Sequence, residues 1–182
     1  MRQSTKILLS IFLLTCLTAL ALFLFRSSPT PFVSSPGSYL VYKVIDGDTI
    51  EVQDPQLRIQ KVRLVGINTP EVASGVTQEE CFGQQASSKT KELLNNAQVK
   101  LEIDSSQNLV DKYGRLLRYV YRSDGLFVNQ YLVENGYAFE YTYQGIPHKY
   151  QAEFRQKQQS AHDNHLGLWD TSVCPNYFLP AK

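Results

Sequence analysis

The stretch Tyr39–Gln53, YLVYKVIDGDTIEVQ, decides the fold that this sequence predicts. Apolar and polar side chains alternate up to Ile45 and again from Thr49, which is typical of strands with one buried face. The Asp46-Gly47 pair between the two runs favours the positive φ of a tight turn. The stretch therefore predicts a β-hairpin at the start of the folded domain.

Further strands and helices follow the hairpin. Strands are predicted from alternation, and helices from apolar residues on one face or, for the last, from helix-favouring composition. The second helix is expected to end at Gly136, a residue suited to the C-cap. Five strands interrupted by helices predict an α+β fold, a small closed β-barrel with about three helices packed outside. The additional strands are predicted at residues 57–65, 99–103 and 116–121, and the helices at residues 82–97, 128–135 and 150–164.

Residues 1–25 are expected to lie outside the domain, as a signal anchor or signal peptide. An apolar run from Ile7 to Phe25 follows Arg2 and Lys6, and it is just long enough to span a bilayer. The positive charges before the run predict that the N-terminus stays inside and that the rest is exported. Because no small-x-small cleavage site follows, we favour an uncleaved transmembrane anchor; cleavage would make the protein secreted.

The remainder divides into a tether and one domain. Residues 26–38 are rich in Ser and Pro and predict an extended tether, whereas residues 39–182 suffice for one domain with its own core. Of 18 basic residues, Arg2, Lys6 and Arg26 precede the domain, which leaves 15 against 17 acidic residues. Net charge therefore does not predict a nucleic-acid partner, and any attraction must come from local placement of charges.

Two cysteines, Cys81 and Cys174, lie in the segment that should face an oxidising compartment. An even pair in that setting predicts a disulfide, and the alternative is two unrelated buried thiols. Closing so long a loop would stabilise the fold by on the order of 4 kcal/mol by chain-entropy arguments.

Acidic residues and a carbonyl offer oxygen ligands for a hard cation. Asp48, just inside a strand, is either a surface residue or one ligand of a site completed elsewhere. Pro70 holds Thr69 extended and presents its carbonyl oxygen, and Glu71 could bind a water or take its proton. The alternative for this segment is an ordinary turn that carries a solvated glutamate.

Two arginines are suited to a phosphate. Arg63 lies within a strand, where an inward guanidinium is costly unless it meets an anion or a carboxylate. Arg115 follows a turn at Tyr113-Gly114, and the planar fork of arginine suits phosphate oxygens. A surface ion pair is the alternative for each arginine. Cation ligands, a glutamate and arginines are together what phosphodiester hydrolysis requires.

These stretches resemble the staphylococcal nuclease (thermonuclease) family. The matching residues are Ile45–Thr49, Arg63–Glu71 and Asp111–Arg115, in family order, and the resemblance extends over roughly Tyr39 to Trp169. It implies an OB-fold barrel with three helices and a calcium-dependent endonuclease that cuts DNA and RNA to 3′-phosphate ends. It also implies roles for individual residues: metal ligation by Asp48, Asn68 and Thr69; catalysis by Arg63, Glu71 and Arg115; and substrate binding by Lys112, Tyr113 and Tyr141.

One position departs from the family pattern. Asn68 stands where the family resemblance leads one to expect a calcium-binding aspartate, so the site loses a formal charge. Calcium is therefore expected to bind more weakly, and another hard divalent cation is possible. The sequence predicts a monomer that acts outside the cytoplasm on DNA and RNA, with a preference for single strands. The alternative is a non-catalytic nuclease-like module that binds single-stranded nucleic acid or a protein partner.

Overall fold

The structure, a computed structural model, describes residues 37–73, 75 and 78–175. The predicted N-terminal anchor and almost all of the tether lie outside these residues. Among the helices described there, none has the length and apolar character that crossing a membrane requires.

The described chain contains seven strands and three α-helices. The strands are β1 (Ser38–Val44), β2 (Thr49–Gln53), β3 (Ile59–Leu64), β4 (Ile67–Asn68), β5 (Gln98–Glu102), β6 (Leu116–Arg122) and β7 (Phe139–Glu140). The helices are α1 (Gly83–Leu94), α2 (Val128–Glu134) and α3 (Gln151–Asp163), and short 3₁₀ turns follow at Tyr143–Gly145 and Gly167–Trp169.

Five strands close into a barrel in the order β1-β2-β3-β6-β5, with β5 pairing back to β1. Every pairing in the barrel is antiparallel except that of β3 with β6, which is parallel. In this register Arg63 pairs with Thr49 on one side and with Leu117 on the other. The predicted five-stranded barrel with three helices is confirmed, in keeping with an OB-type α+β fold.

Apolar residues from the strands fill the core of the barrel. Val41, Ile50, Val52, Val62 and Val99 are all fully buried. Burying each such side chain stabilises the fold by about 1.5–3 kcal/mol before entropy costs are counted. The helix face predicted for α1 is also buried, and it includes Ala86, Thr90, Leu93 and Leu94.

The turn between β1 and β2 differs from the prediction at Gly47. Its φ does not lie in the left-handed region, so the turn does not require glycine for that reason. Instead, a Cβ at this position would lie 2.5 Å from Thr69 Oγ1. The hydroxyl of Thr90 in α1 also donates a hydrogen bond to the Gly47 carbonyl, at 2.7 Å. Glycine is needed here because two other parts of the chain approach the backbone closely.

A two-stranded sheet that the sequence did not predict lies beside the barrel. Asn68 in β4 pairs with Phe139 in β7, and the Tyr141 N–H donates to the Gly66 carbonyl at 3.0 Å. This pairing brings the segment that carries Tyr141 next to the segment that carries Asn68. Gly136 ends α2 with a φ of +69°, as predicted for a C-cap glycine.

Candidate active site

Asp48 is buried at the beginning of β2, with 7% of its surface exposed. Its Oδ2 accepts a hydrogen bond from the Thr69 N–H at 3.1 Å, and its Oδ1 accepts one from the Thr49 hydroxyl at 3.0 Å. The Arg63 guanidinium contacts Oδ2 at 2.9 Å. Asp48 is therefore not a surface residue but the centre of a cluster drawn from three parts of the chain.

The Arg63 side chain is largely buried, and the hydrogen bonds of its guanidinium are all donated to oxygen atoms. One nitrogen donates to Asn68 Oδ1 at 2.7 Å, in addition to the ion pair with Asp48. The other terminal nitrogen donates to the carbonyls of Leu64 and Ile67, at 2.7 and 2.9 Å. These acceptors offset the cost of burying the charge. Arg63 thus holds together two of the residues predicted to bind a metal.

Asn68 and Thr69 present oxygen atoms to the same cluster. The Asn68 amide nitrogen lies 3.4 Å from the Thr69 carbonyl oxygen, and Thr69 is almost fully buried. Together with the Asp48 carboxylate, these side-chain and backbone oxygens are the hard donors that calcium and magnesium prefer.

Two further acids, Asp46 and Glu71, approach this cluster. Burial raises the pKa of Asp46, and the Asp48 carboxylate raises it further. Partial desolvation raises the pKa of Glu71, and the charges of Asp48, Asp46 and Glu80 add to that increase. The acids therefore repel one another more than Arg63 compensates, which makes the region electrostatically suited to a cation.

The donor set fits a hard divalent cation held by mixed oxygen ligands. Within residues 37–73, 75 and 78–175, no three His, Cys, Asp or Glu side chains come together as a metal-binding group. The available set is instead one carboxylate from Asp48, an amide oxygen from Asn68 and a carbonyl oxygen from Thr69. Such sets are ordinary for calcium, and the repulsion between Asp46 and Glu71 is what a bound cation would relieve.

Arg115 is fixed by Asp111 and reaches the same cluster. The Asp111 carboxylate accepts from Arg115 Nε at 2.6 Å and from the backbone N–H groups of Tyr113 and Arg115, each at 2.9 Å. Burial alone would raise the pKa of Asp111, but these hydrogen bonds lower it. Arg115 Nη1 lies 3.5 Å from Thr49 Oγ1, the hydroxyl that also donates to Asp48.

Two of the predicted substrate-binding residues, Lys112 and Tyr113, lie beside Arg115, and the third, Tyr141, lies on another segment. Tyr113 is 71% exposed, with Lys112 Nζ 5.0 Å and the Arg115 guanidinium 5.4 Å from its ring centroid. Tyr141 follows β7, and its ring lies 6.4 Å from that of Tyr143. The structure therefore places aromatic faces and cations beside Arg115, and a second aromatic pair on the segment that adjoins Asn68.

The contacts also involve residues to which sequence reasoning gave no role in the site. Thr49 links Arg115 to Asp48, Asp111 orients Arg115, Asp46 adds charge to the cluster and Glu80 contacts Glu71. Asp111 could have been identified from the sequence, because it is the first residue of the stretch Asp111–Arg115, which matches the family. Asp46 was interpreted only as a turn residue, and nothing near Glu80 in the sequence indicated its contact.

Cys81 and Cys174 are joined by a disulfide, with their Cα atoms 5.9 Å apart. This separation is usual for a disulfide. The bond links residues 93 positions apart in the chain, just before α1 and near the end of the described residues.

A closed OB-type barrel with a cluster of acids and two arginines defines the class to which this chain belongs. Residues 61–171 match the family described as staphylococcal nuclease homologue. The chain is also 36% identical to the thermonuclease of Staphylococcus intermedius over 170 residues, which cover 91% of this chain and 98% of that protein. The chain is therefore a member of the staphylococcal nuclease family.

Other relatives are similar over the folded domain. The thermonuclease of Staphylococcus hyicus is 37% identical over 132 residues, or 72% of this chain and 75% of that protein. Endonuclease YncB of Bacillus subtilis is 38% identical over 131 residues, or 71% of this chain and 60% of that protein. Both relatives carry names that denote nucleases.

Proposed function

We propose that this chain is a calcium-dependent endonuclease that hydrolyses DNA and RNA to 3′-phosphate ends outside the cytoplasm. The nuclease activity itself, which makes the chain a hydrolase, rests on its family and on relatives named thermonuclease and endonuclease. The observation that carries the finer proposal is the contact of Arg63 with both Asp48 and Asn68. Arg63, which we propose binds phosphate, thereby contacts two residues that we propose supply oxygen ligands to a metal ion.

Glu71 is proposed to orient or deprotonate the attacking water. It has a carboxylate that remains accessible to solvent at the edge of the acidic cluster. Partial desolvation and the neighbouring acids raise its pKa, so its carboxylate is a better proton acceptor than an isolated one. A water held by this group would then attack the phosphorus atom of a bound diester while the bond to the 5′-oxygen breaks, so that the 5′-oxygen leaves as a hydroxyl with a proton from solvent and the phosphate stays on the 3′-oxygen.

Arg63 and Arg115 are proposed to bind the phosphate and to stabilise the charge that develops on its oxygens. Both guanidiniums are held by acids before substrate arrives, Arg63 by Asp48 and Arg115 by Asp111. Donors that are already oriented need little reorganisation during the reaction, which is why such groups contribute strongly to rate.

Asp48, Asn68 and the Thr69 carbonyl are proposed to hold the cation, which we assign as calcium because all three donors are hard oxygens. When bound, a divalent cation would neutralise phosphate charge and polarise its oxygens. An amide at Asn68 brings no formal charge, so we expect weaker calcium binding than an aspartate would give.

Lys112, Tyr113 and Tyr141 are proposed to bind the rest of the nucleic acid. An exposed tyrosine ring flanked by two cations can stack on a base while the cations meet neighbouring phosphates. Stacking requires an accessible base face, so we expect a preference for single strands. Nothing in this arrangement requires a 2′-hydroxyl, which is consistent with cleavage of both DNA and RNA.

The site of action is proposed to be extracytoplasmic, on a monomer held at the membrane by residues 1–25 or secreted if they are cleaved. A disulfide supports this proposal, because such bonds form and persist mainly in oxidising compartments.

The proposal is tested by incubating the full chain with single- and double-stranded DNA and RNA while calcium is titrated against a chelator. We expect calcium-dependent cleavage with 3′-phosphate ends, and its loss in Glu71→Gln. Cleavage that is insensitive to chelation would remove the metal assignment. Tight binding of single strands by folded protein, without cleavage at any calcium, magnesium or manganese concentration, would instead favour the non-catalytic module.

A further inference from the structure

Glu80 holds the backbone of Glu71 through two hydrogen bonds. The Glu71 N–H donates to the Glu80 carboxylate at 3.0 Å, and the Glu80 N–H donates to the Glu71 carbonyl at 2.9 Å. Together they fix both polar groups of the Glu71 backbone to a single residue that lies nine positions further along the chain.

The residue that starts α1 forms a third contact with the same peptide. A Cβ on Gly83 would lie 2.3 Å from the Glu71 carbonyl oxygen and 3.3 Å from the Pro70 carbonyl oxygen. Only glycine permits the helix to begin this close to the backbone of Glu71. Residues 80–83, which we call the Glu71 cradle, therefore surround the peptide of Glu71 on the side of α1.

One end of the disulfide, Cys81, belongs to the Glu71 cradle. Its other end is Cys174, which is buried and whose N–H donates to the Asp170 carbonyl at 2.8 Å. Asp170 follows a 3₁₀ turn that is bound to the end of α2, where the Leu168 N–H donates to the Gly136 carbonyl at 2.9 Å. A covalent bond thus connects the Glu71 cradle to the part of the fold that ends α2.

We propose that Glu80 is a positioning residue for Glu71 and that the Cys81–Cys174 disulfide keeps the Glu71 cradle in place, so that full activity requires the oxidised protein. This inference rests on the proposed role of Glu71. A catalytic carboxylate displaced by about 1 Å can cost on the order of 100-fold in rate, so holding its backbone has a direct effect on turnover.

The dependence on oxidation follows from access and connectivity. Cys81 is solvent-exposed, so a dithiol reductant such as dithiothreitol can reach the bond. Two electrons and two protons from the dithiol convert the disulfide to two thiols, and the dithiol becomes a cyclic disulfide. The cradle then keeps its contacts with α1 but loses its covalent link to Cys174.

The positioning role is tested by steady-state cleavage kinetics of the full chain with Glu80→Ala and Glu80→Gln. Glu80→Ala is expected to lower kcat about tenfold with KM unchanged, because it removes the acceptor of the Glu71 N–H. Glu80→Gln keeps an acceptor oxygen and should stay within about twofold of the unchanged protein. Glu79→Ala is the matched control, since Glu79 is an exposed acid next to Glu80 and should have no effect.

A double-mutant cycle separates positioning from general damage. In a Glu71→Gln background, Glu80→Ala should cause no further loss of the residual cleavage, because the group that it positions no longer acts. A further tenfold loss of that residual cleavage would overturn the role of Glu80. If Glu71→Gln is strongly impaired while Glu80→Ala is fully active, only this inference fails; if Glu71→Gln is fully active, the proposed function of Glu71 fails first.

The disulfide is tested on the same protein before and after reduction by dithiothreitol, at a temperature where circular dichroism shows both forms folded. We expect kcat to fall severalfold on reduction and backbone amide exchange at Glu71 to accelerate. A Cys81→Ser, Cys174→Ser double variant should have the low kcat and should not respond to reductant. Equal kcat and equal Glu71 exchange in the two redox forms would overturn the role of the disulfide.

Discussion

Two buried aspartates in this fold both accept hydrogen bonds but differ in the charges around them. Asp104, 3% exposed, accepts hydrogen bonds from the Tyr119 hydroxyl, the Lys149 N–H and both the N–H and hydroxyl of Ser106, at 2.7 to 2.8 Å. Burial alone would raise the pKa of Asp104, but these donors lower it to about 2. Asp104 is thus a carboxylate whose charge the fold satisfies completely.

Asp48 is buried to a similar degree, but it has other acids as neighbours. Burial and the Asp48 carboxylate raise the pKa of Asp46, and the pKa of Glu71 is also raised. The two regions show that one fold can contain both an acid that stabilises it and a separate group of acids that are proposed to act in catalysis. Donors surround the acid that stabilises the fold, whereas repulsion remains among the acids that are proposed to bind a cation and a water.

The largest expected effect is on catalysis. Arg115→Ala should lower kcat by about 10²–10³-fold, because it removes an oriented donor that we propose contacts the reacting phosphate. Its partly exposed ion pair with Asp111 is worth only about 1 kcal/mol or less, so the free energy of unfolding should change little. Cleavage kinetics and urea denaturation measure the two quantities.

The matched control for this change is Arg155→Ala, which removes an exposed arginine that pairs with Glu140 at 3.2 Å. It should leave kcat within about twofold. Equal losses of activity in the two variants would mean that charge in general, and not the placement of Arg115, governs cleavage.

The opposite result, a loss of stability without a loss of activity, is expected when Asp104 is changed. Asp104→Asn should lower the free energy of unfolding by about 3 kcal/mol, because the N–H groups of the amide would face other hydrogen-bond donors in a buried network. The kcat of the folded fraction should stay unchanged. Asp163→Asn, at an exposed aspartate, serves as the control in urea denaturation. A loss of kcat greater than tenfold in Asp104→Asn would show that Asp104 also contributes to catalysis, contrary to this comparison.

The pH dependence of stability follows from the same acid. Because the pKa of Asp104 falls from 3.8 to about 2 on folding, its ionisation stabilises the fold fully above pH 3.8. That contribution, about 2 kcal/mol, is lost as the pH falls through about 2. Denaturation curves between pH 5 and pH 2 should therefore show the deficit of Asp104→Asn shrinking toward low pH. A constant deficit would show that the Asp104 charge is not what stabilises the network.

The smallest effect is expected on metal affinity. Asn68→Asp adds a formal charge to the proposed ligand set and should lower the half-saturating calcium concentration about tenfold. Calcium titration of cleavage, together with calorimetry of the chain without nucleic acid, measures this change. Asn164→Asp adds the same charge at an exposed helix end and should leave calcium binding unaltered. An equal shift in both variants would attribute the effect to net charge.

The sequence predicted the barrel because its signals are local. Alternation in Tyr39–Gln53 and the single buried face of α1 each depend on residues close in the chain, and both elements form as predicted. The sheet of β4 and β7 was not predicted, since strands of two residues carry no periodicity. Gly47 was predicted at the right place for the wrong reason, because Thr69 approaches it from 22 positions away.

The site was predicted through family resemblance more than through physics. The structure brings Asp48, Arg63, Asn68 and Thr69 into direct contact, but each alone allowed an ordinary turn or ion pair. What the sequence could not reveal are partners that no local pattern joins. Thr49 meets Arg115 only after β2 and β6 join the same barrel, and Glu80 meets Glu71 across a loop without periodicity.

The parallel pairing of β3 with β6 determines when the two arginines come together during folding. Arg63 lies in β3, and Arg115 immediately precedes β6, so the pairing of Arg63 with Leu117 brings both arginines to one place. This pairing joins distant parts of the chain, as does the pairing of β1 with β5, and distant contacts form late because loop closure must precede them. A chain that has not yet paired these strands holds the two arginines apart, so the arrangement that we propose to bind phosphate exists only once the barrel has closed.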